Sequence, residues 1–494
     1  MKKDFKFYFA QFSSKCTYGL IKIVKIFKKS LNGSHYPGKI ALKFDKDFLG
    51  KIEKPEKIIC VTGTNGKTTT ANMLIDALEK NGFEVLNNKL GSNIQAGIAC
   101  ALSTGATITG KTKYDIAVFE VDERSSIKVY PYIEPTIILC TNLFRDSMKR
   151  NAHPEFILDI INQGLEGNTT TKLVLNADDL ISCQIAPENK NRVYFGMDAL
   201  PSDTTECHNI VNDFANCPKC GSKLKYDYLK YHHIGKAFCP NCDFASPEAK
   251  YLGTNFDFAK MKYSMIETLK DGKKQTEYNL ITDSVVNIYN QIATTACLKE
   301  FGLSDIEIRK AFDDYKLVES RYKEEDYNGL TIKTMMAKGQ NAVACSRVFD
   351  YIKTDSGNKA VMLNLDDFYD AKTSSENICW LYDTDYELLN DPSIKQICIA
   401  GKRRMDHYMR CLIAGIPKEK ITVCEYEEEE PAMLNFNKID KVFVLYDVYT
   451  IPMAMKVKEG IKEQVDIILE KLEKNHVKIS GNNDKDLTSE ETKK

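Results

Sequence analysis

A chain of 494 residues, 43% hydrophobic and 28% charged, has material for two or three domains with their own cores. Its formal net charge of -1 supplies no global field for a polyanion, which disfavours nucleic acid as a partner. No run approaches the ~18 apolar residues of a membrane span, and no small-residue cleavage site follows the N-terminus. The sixteen cysteines stand mostly alone in apolar surroundings, as at Cys60, Cys100, Cys140 and Cys297. That is the usage of reduced core thiols in a cytoplasmic protein.

Residues 1–50 read as a basic amphipathic segment. The first 31 carry eight lysines against the single acid Asp4, with Phe5, Phe9, Phe12, Ile23, Ile26 and Phe27 at roughly helical spacing. Such a helix either lies on an anionic surface at the inner face of the membrane or packs on the next domain with its lysines in water. Packing is the preferred reading.

Residues 51–315 read as a nucleotide-binding domain, opening on IICVTGTNGKTTT (58–70). The widespread phosphate loop, G-x-x-x-x-G-K-[ST], needs a glycine five residues before Gly66, where Val61 stands. The loop here is the tighter Gly63, Thr64, Asn65, Gly66, Lys67, Thr68, Thr69. Its physical logic is unchanged: backbone N–H groups at a helix start cradle the phosphates of ATP, and Lys67 neutralises them. The Thr68 hydroxyl suits Mg2+. Strands follow in YDIAVFEVDE, PTIILCTNLF and TKLVLNADD, alternating with helices such as 69–81. That alternation means a parallel sheet with ligands at the strands' C-terminal ends.

An insert from about 207 to 245 interrupts the pattern. Its two C-x-x-C pairs, Cys217/Cys220 and Cys239/Cys242, are separated by 18 residues. Tetrahedral Zn2+ takes four thiolates, two from each tight turn, which is the plan of a zinc ribbon. Four thiolates leave no position for water, so this zinc is structural. His232 and His233 read as surface residues. The domain closes with the helix SVVNIYNQIATTACLKEFG, and the charged stretch 315–326 reads as a boundary. A second strand–helix series fills 316–480, in AVMLNLDDF, IKQICIAGK, KITVCEY and KVFVLYDV. The acidic run 425–430 reads as a solvated loop and 481–494 as a disordered tail. The fold class is α/β: a phosphate-loop domain with a parallel sheet and an inserted four-cysteine ribbon, then a second α/β domain.

The tight loop TGTNGKTTT resembles that of the Mur ligases, which use ATP to turn a carboxylate into an acyl phosphate that an amine attacks. NNKLGSNIQAGI (87–98) resembles their substrate-side loop, and TNLFRD (141–146) their Asn-and-Asp strand end. The likeness implies that Glu120 of FEVDE binds Mg2+ and that Asn290 of NIYNQIATTA faces adenine. A Mur-type loop followed by a four-cysteine ribbon resembles, more narrowly, the MurT family. Those ligase subunits, with a glutamine amidotransferase called GatD, amidate the glutamate of lipid II. GSHYPGKIALKFDKDFL, GKRRMDHYMRCLIAG (with Arg403, Asp406 and Arg410) and LYDVYTIPMAM resemble further segments of that family, so the likeness runs from about residue 33 to 470.

By this resemblance Lys67 and Glu120 are catalytic groups, and Arg321 reaches the phosphates after domain closure. An aspartate of the C-terminal domain would complete the partner's catalytic triad. The segment that carries it, LNLDDFYDAKTSSENICWLYD (363–383), has Asn377 and Cys379 where Asp and Ser are expected. Asp370 is then the best donor and Asp383 the alternative. AKGQN (337–341) and RDSMKRNAH (145–153) also depart from the family's forms. The chain has no G-x-C-x-G elbow to hydrolyse glutamine, so ammonia comes from solution or from a GatD-like partner in a heterodimer. Two other readings stand beside this one: a free-standing Mur-like ligase acting on another glutamate-bearing substrate, and a zinc-ribbon nucleic-acid ATPase. The near-zero charge opposes the last.

Overall fold

The computed structural model describes every residue except 28–34, 90–91, 146–152, 314, 316–321, 338, 366–377, 448–449 and 484–494. The chain divides into two compact units, Met1–Asp146 with Asn151–Val318, and Glu319–Lys494 with Ser147–Arg150.

The first unit opens with helices α1 (Phe5–Phe27), α2 (Tyr36–Phe44) and α3 (Phe48–Lys51). One side of α1 buries Phe7, Ala10, Gln11 and Ser14. Phe7 stacks on Phe48 at 5.5 Å, and the Gln11 amide donates to the carbonyls of Ser103 and Thr107 at 3.1 and 2.8 Å. The helix therefore packs on its own unit, while its opposite side stays exposed.

Six strands then build a parallel sheet: β1 (Lys57–Thr62), β2 (Val85–Asn87), β3 (Ile116–Glu120), β4 (Ile137–Cys140), β5 (Lys172–Asn176) and β6 (Arg192–Met197). β1 is buried from Ile58 to Thr62, the continuous apolar run expected of a strand covered on both faces. β7 (Lys225–Tyr231) and β8 (Ile234–Phe238) form a separate antiparallel hairpin. β9 (Tyr251–Asp257) returns parallel to β6, and β10 (Lys262–Leu269) and β11 (Gly272–Asn279) add antiparallel edge strands. The order is β11-β10-β9-β6-β5-β4-β1-β3-β2. Helices α4 (Lys67–Lys80), α5 (Gln95–Gly105), α6 (Ser126–Ile133), α7 (Pro154–Gly164), α8 (Val285–Phe301) and α9 (Asp305–Asp313) cover it. The register sets Val61 beside Glu120 and Thr62 beside Cys140. The phosphate loop, the end of β3 and the end of β4 thus meet at one edge, the place where an open α/β sheet binds ligands.

The second unit begins with β12 (Tyr322–Tyr327) and β13 (Leu330–Met336), an antiparallel hairpin. Its two-residue turn, Asn328 and Gly329, has φ of 51° and 85°, the left-handed pair that matches strand twist. Then come α10 (Ala342–Thr354), β14 (Lys359–Asn364), α11 (Cys379–Asp383), β15 (Ile394–Ile399), α12 (Arg404–Ile413), β16 (Ile421–Val423), β17 (Lys441–Tyr446) and α13 (Ile451–Asn483). The sheet order is β12-β13-β17-β14-β15-β16. β14 alternates between two cores, Val361 and Leu363 to one side, Ala360 and Met362 to the other.

Two expectations are corrected. The acidic run is a short 3-10 helix, Glu427–Met433, that buries Glu427 and Glu430 at i, i+3 while Glu428 and Glu429 face water. His232 and His233 are not surface residues. Both are only 1% exposed, because the β7–β8 turn that carries them presses into the nucleotide domain.

Candidate active site

The turn from β1 into α4 is possible only with glycine at two positions. Gly63 has φ +123° and Gly66 φ +86°. A Cβ on Gly66 would lie 2.1 Å from Asn290 Oδ1, and one on Gly63 2.3 Å from Thr141 Oγ1. The segment after β4 clasps the loop from outside. Thr64 N donates to the Asn142 carbonyl at 2.8 Å, and Asn65 N to Asn142 Oδ1 at 3.0 Å. Phe144 N donates to Thr64 Oγ1 at 2.9 Å, and Thr141 Oγ1 to the Asn65 carbonyl at 2.7 Å. Asn142, of the sequence stretch TNLFRD, therefore holds the loop's shape.

Lys67 opens α4. Its ammonium donates to Glu123 at 3.1 and 3.2 Å and to the carbonyl of Gly63. Burial opposes the charge, but Glu123 beside it, with Glu120 and Asp122 behind, holds the lysine pKa above its ordinary value. Three carboxylates against one ammonium leave a negative excess that suits a divalent cation. The hard-oxygen donors for one are adjacent: Thr68 Oγ1 donates to Glu120 Oε2 at 2.8 Å. Asn93 Nδ2 fixes the other oxygen of Glu120 at 3.0 Å, and Asn88 bonds the Glu120 backbone at both its N–H and its C=O. Next to Glu120 a cavity of about 250 Å³ is lined by Thr68, Asn72, Asn88, Ser92 and Asn93 among others, which sets these polar side chains beside the paired oxygens of Thr68 and Glu120.

Asn290 lies in the second turn of α8, 2% exposed, and its amide donates to Asn287 Oδ1 at 3.1 Å. Thr69 is half-buried in the first turn of α4. The structure thus brings together Thr64, Asn65, Gly66, Lys67, Thr68, Thr69, Glu120 and Asn290. Arg321 and Asp370 lie outside the described residues. Asn287 joins the set although the sequence suggested no role for it, and so does Glu123, which shares the FEVDE strand end with Glu120. For Glu123 the signal was the second acid of FEVDE, and for Asn287 the one-turn N-x-x-N spacing.

The four sulfurs of Cys217, Cys220, Cys239 and Cys242 lie within 4.8 Å of one another. Cys217 and Cys242 are 3.5 Å apart, and Cys220 and Cys239 3.4 Å. Tetrahedral Zn–S bonds of ~2.3 Å require sulfurs ~3.8 Å apart, so the residues fit zinc. The ribbon is tied to the active site by two relays, one through Asp179 and one through Asp178. His233 Nε2 is 3.3 Å from Asp179 Oδ1, and the other Asp179 oxygen accepts from Leu143 N at 2.6 Å, beside the loop clasp. Tyr228 and Tyr289 both donate to Asp178, at 3.3 and 2.8 Å, which links the hairpin to the residue preceding Asn290.

In the second unit, Arg410 is buried and staples α12 to α11 and the chain that follows it. It donates to the carbonyls of Leu381 and Thr384 at 3.0 and 2.7 Å and forks onto Glu387. His407 Nε2 donates to the Leu365 carbonyl at 3.1 Å, so its Nδ1 accepts from the Tyr386 hydroxyl at 2.6 Å. These two side chains anchor both flanks of the 366–377 segment. Asp383 is half-buried at the end of α11.

Family models agree with this division. Residues 61–241 match the Mur ligase middle domain, and residues 339–451 match the MurT ligase C-terminal domain. The chain is 32% identical over 388 residues to the subunit MurT of lipid II isoglutaminyl synthase from Staphylococcus aureus (strain COL), covering 78% of this chain and 84% of that one. With the Streptococcus pneumoniae (strain ATCC BAA-255 / R6) subunit MurT it shares 30% over 393 residues, 79% and 84% of the two chains. Among solved structures, a pseudomurein peptide ligase type C from Methanothermus fervidus has the same fold, with a TM-score of 0.57 at 21% identity over 86% of this chain and 81% of that one. The nucleotide loop, the ribbon and the C-terminal unit converge on one assignment: the chain belongs to the MurT family of Mur ligases.

Proposed function

We propose that the chain is the ligase subunit of a lipid II isoglutaminyl synthase, the enzyme for which its staphylococcal and streptococcal relatives are named. A carboxylate oxygen of the stem-peptide glutamate attacks the γ-phosphorus of ATP, ADP leaves, and an acyl phosphate forms. Ammonia then attacks the acyl carbon. Inorganic phosphate leaves with the former carboxylate oxygen, a proton passes to solvent, and the product is the isoglutamine amide.

Lys67 exchanges Glu123 for the γ-phosphate and compensates the charge that moves onto ADP. Backbone N–H groups at the start of α4, from Gly66 to Thr69, face the phosphates, Thr64 and Asn65 shape the loop through their bonds to Asn142, and Asn290, with Asn287, addresses the base. Mg2+ held by Thr68 and Glu120 would neutralise phosphate charge during the transfer. Arg321 supplies a further cation after closure, and zinc in the ribbon is structural. The single observation that carries the reading is Lys67 paired with Glu123 on the same turn that pairs Thr68 with Glu120.

The ammonia comes from a GatD-like glutamine amidotransferase docked on the second unit, where Asp370 orients the histidine of the partner's Cys–His pair. The complex works in the cytoplasm at the inner face of the membrane. Co-expression with a class I glutamine amidotransferase tests this. A stable heterodimer should amidate lipid II with glutamine, and Asp370→Asn should abolish that activity while added ammonium still supports it. Failure to form a complex, with amidation of some other glutamate-bearing substrate, would favour a free-standing ligase.

A further inference from the structure

The side of α1 opposite its packed face carries an apolar stripe of its own. Phe5, Phe9, Phe12, Leu20 and Ile23 are between 46% and 82% exposed. They follow the helical repeat half a turn away from the buried Phe7, Ala10, Gln11 and Ser14. Phe5 and Phe9 stack at 6.4 Å, and Phe9 meets Phe44 of α2 edge-on at 4.8 Å. Phe44 and Tyr36 are themselves 42% and 50% exposed, so the patch spans both helices. Contiguous exposed aromatics of this kind mark an interaction surface.

The charges beside the patch select its occupant. Residues 1–44 contain ten lysines and one carboxylate, Asp4. That carboxylate is engaged by Lys51 at 3.0 Å. Lys2, Lys6 and Lys22 of the α1 region and Lys39 and Lys43 of α2 are exposed. Protein interfaces deplete lysine at their centres. An anionic lipid surface rewards aromatic side chains at the acyl boundary together with lysines at the headgroups. Among the described residues no helix is long and apolar enough to cross a membrane, so the geometry is that of a helix lying flat.

We propose that the outer face of α1, extended by Phe44 of α2, docks the chain on an anionic phospholipid surface. The proposal stands on the α1–α2 surface and not on the ligase reading, although a lipid-linked substrate would reward it. The test is co-sedimentation of the full chain with vesicles of phosphatidylcholine alone and of phosphatidylcholine with phosphatidylglycerol. The wild type should bind only the anionic vesicles, and less as salt is raised. The triple variants Phe5→Ser/Phe9→Ser/Phe12→Ser and Lys2→Glu/Lys6→Glu/Lys22→Glu should each bind at least about tenfold more weakly. Both should keep wild-type ATP turnover on a water-soluble substrate analogue, which confirms that they fold and separates this proposal from the ligase reading. Equal binding to both vesicle types, no binding, or unchanged binding by the triple Phe variant overturns it. So does self-association of the wild type that the Phe variant abolishes, because the occupant is then a second copy of the chain.

Discussion

Lys67 faces its partner across a long sequence gap, since Glu123 lies 56 residues away. Removing the lysine leaves the loop's shape intact, because Asn142, Thr141 and Phe144 hold that shape. Lys67→Ala should therefore lower ADP release with substrate present by at least about 10³-fold while the unfolding midpoint stays near wild type. Gly66 tests shape instead. Its left-handed φ and the 2.1 Å approach of Asn290 leave no room for a methyl group. Gly66→Ala should cost about 2 kcal/mol of nucleotide binding, or about 30-fold in ATP affinity measured by calorimetry. At this scale the sequence was legible wherever the signal is local. The loop, Thr68 and Glu120 lie at strand ends next to recognisable apolar runs. Glu123 and His233 act through partners distant in sequence, Lys67 and Asp179, and Asn287 acts through Asn290 one helical turn away, a spacing too common to mark a site by itself. The two histidines were misread because polar residues at a hairpin turn normally face water, and here the turn is pressed against Phe144, 4.6 Å from the His233 ring.

The ribbon is the element whose role the contacts extend. Its hairpin turn reaches Asp179, and Asp179 holds Leu143 beside the segment that clasps Thr64 and Asn65. The purified chain should contain one zinc, and Cys239→Ser should release it. Losing the metal should raise the KM for ATP more than it lowers kcat, because the disturbed contacts lead to the loop clasp and not to the transferring phosphate. His233→Ala, with zinc retained, should reproduce part of that shift. In the second unit Arg410 satisfies the carbonyls of Leu381 and Thr384 from inside the protein. Arg410→Ala orphans both and should cost about 3 kcal/mol in urea unfolding, with Arg410→Lys recovering less than half. Elements read well where they were buried. β1, β3 to β5, β14, β15 and β17 all appeared as buried apolar runs, and β16 was legible although it is only half-buried. β11, the edge strand, escaped notice because it carries Lys273, Lys274 and Glu277 to water, the usual protection of a sheet edge, and β10 because Lys262, Ser264 and Glu267 break up its apolar run. β12 was hidden likewise: YKEEDY reads as charged linker, although the following Asn-Gly is a hairpin turn signal.

At the scale of the molecule, the first unit gathers the candidate phosphate-loop residues at one sheet edge and the second matches the C-terminal domain of the MurT family. The two-unit plan was legible because each unit repeats the strand–helix alternation and the charged stretch between them breaks it. The aspartate expected to serve a partner was less so, because 363–383 departs from the family's form and Asp370 falls outside the described residues. Because the carboxylates around Lys67 keep it charged above the ordinary lysine range, its protonation does not govern neutral-pH activity. With ammonium as donor, the rate at subsaturating donor should rise about tenfold per pH unit between about pH 6 and 8, following free ammonia, and Lys67 should add no inflection. Glutamine-driven activity of the complex should be flatter, since ammonia is then made in place. The most direct test of an ATP-dependent amide-forming ligase is mass analysis of lipid II after incubation with the chain, ATP, magnesium and ammonium, with ADP counted in parallel. The account predicts one stem-peptide carboxylate converted to a primary amide per ADP released, and neither product from Lys67→Ala. ADP release without amide, or amide formation that survives Lys67→Ala, would contradict it.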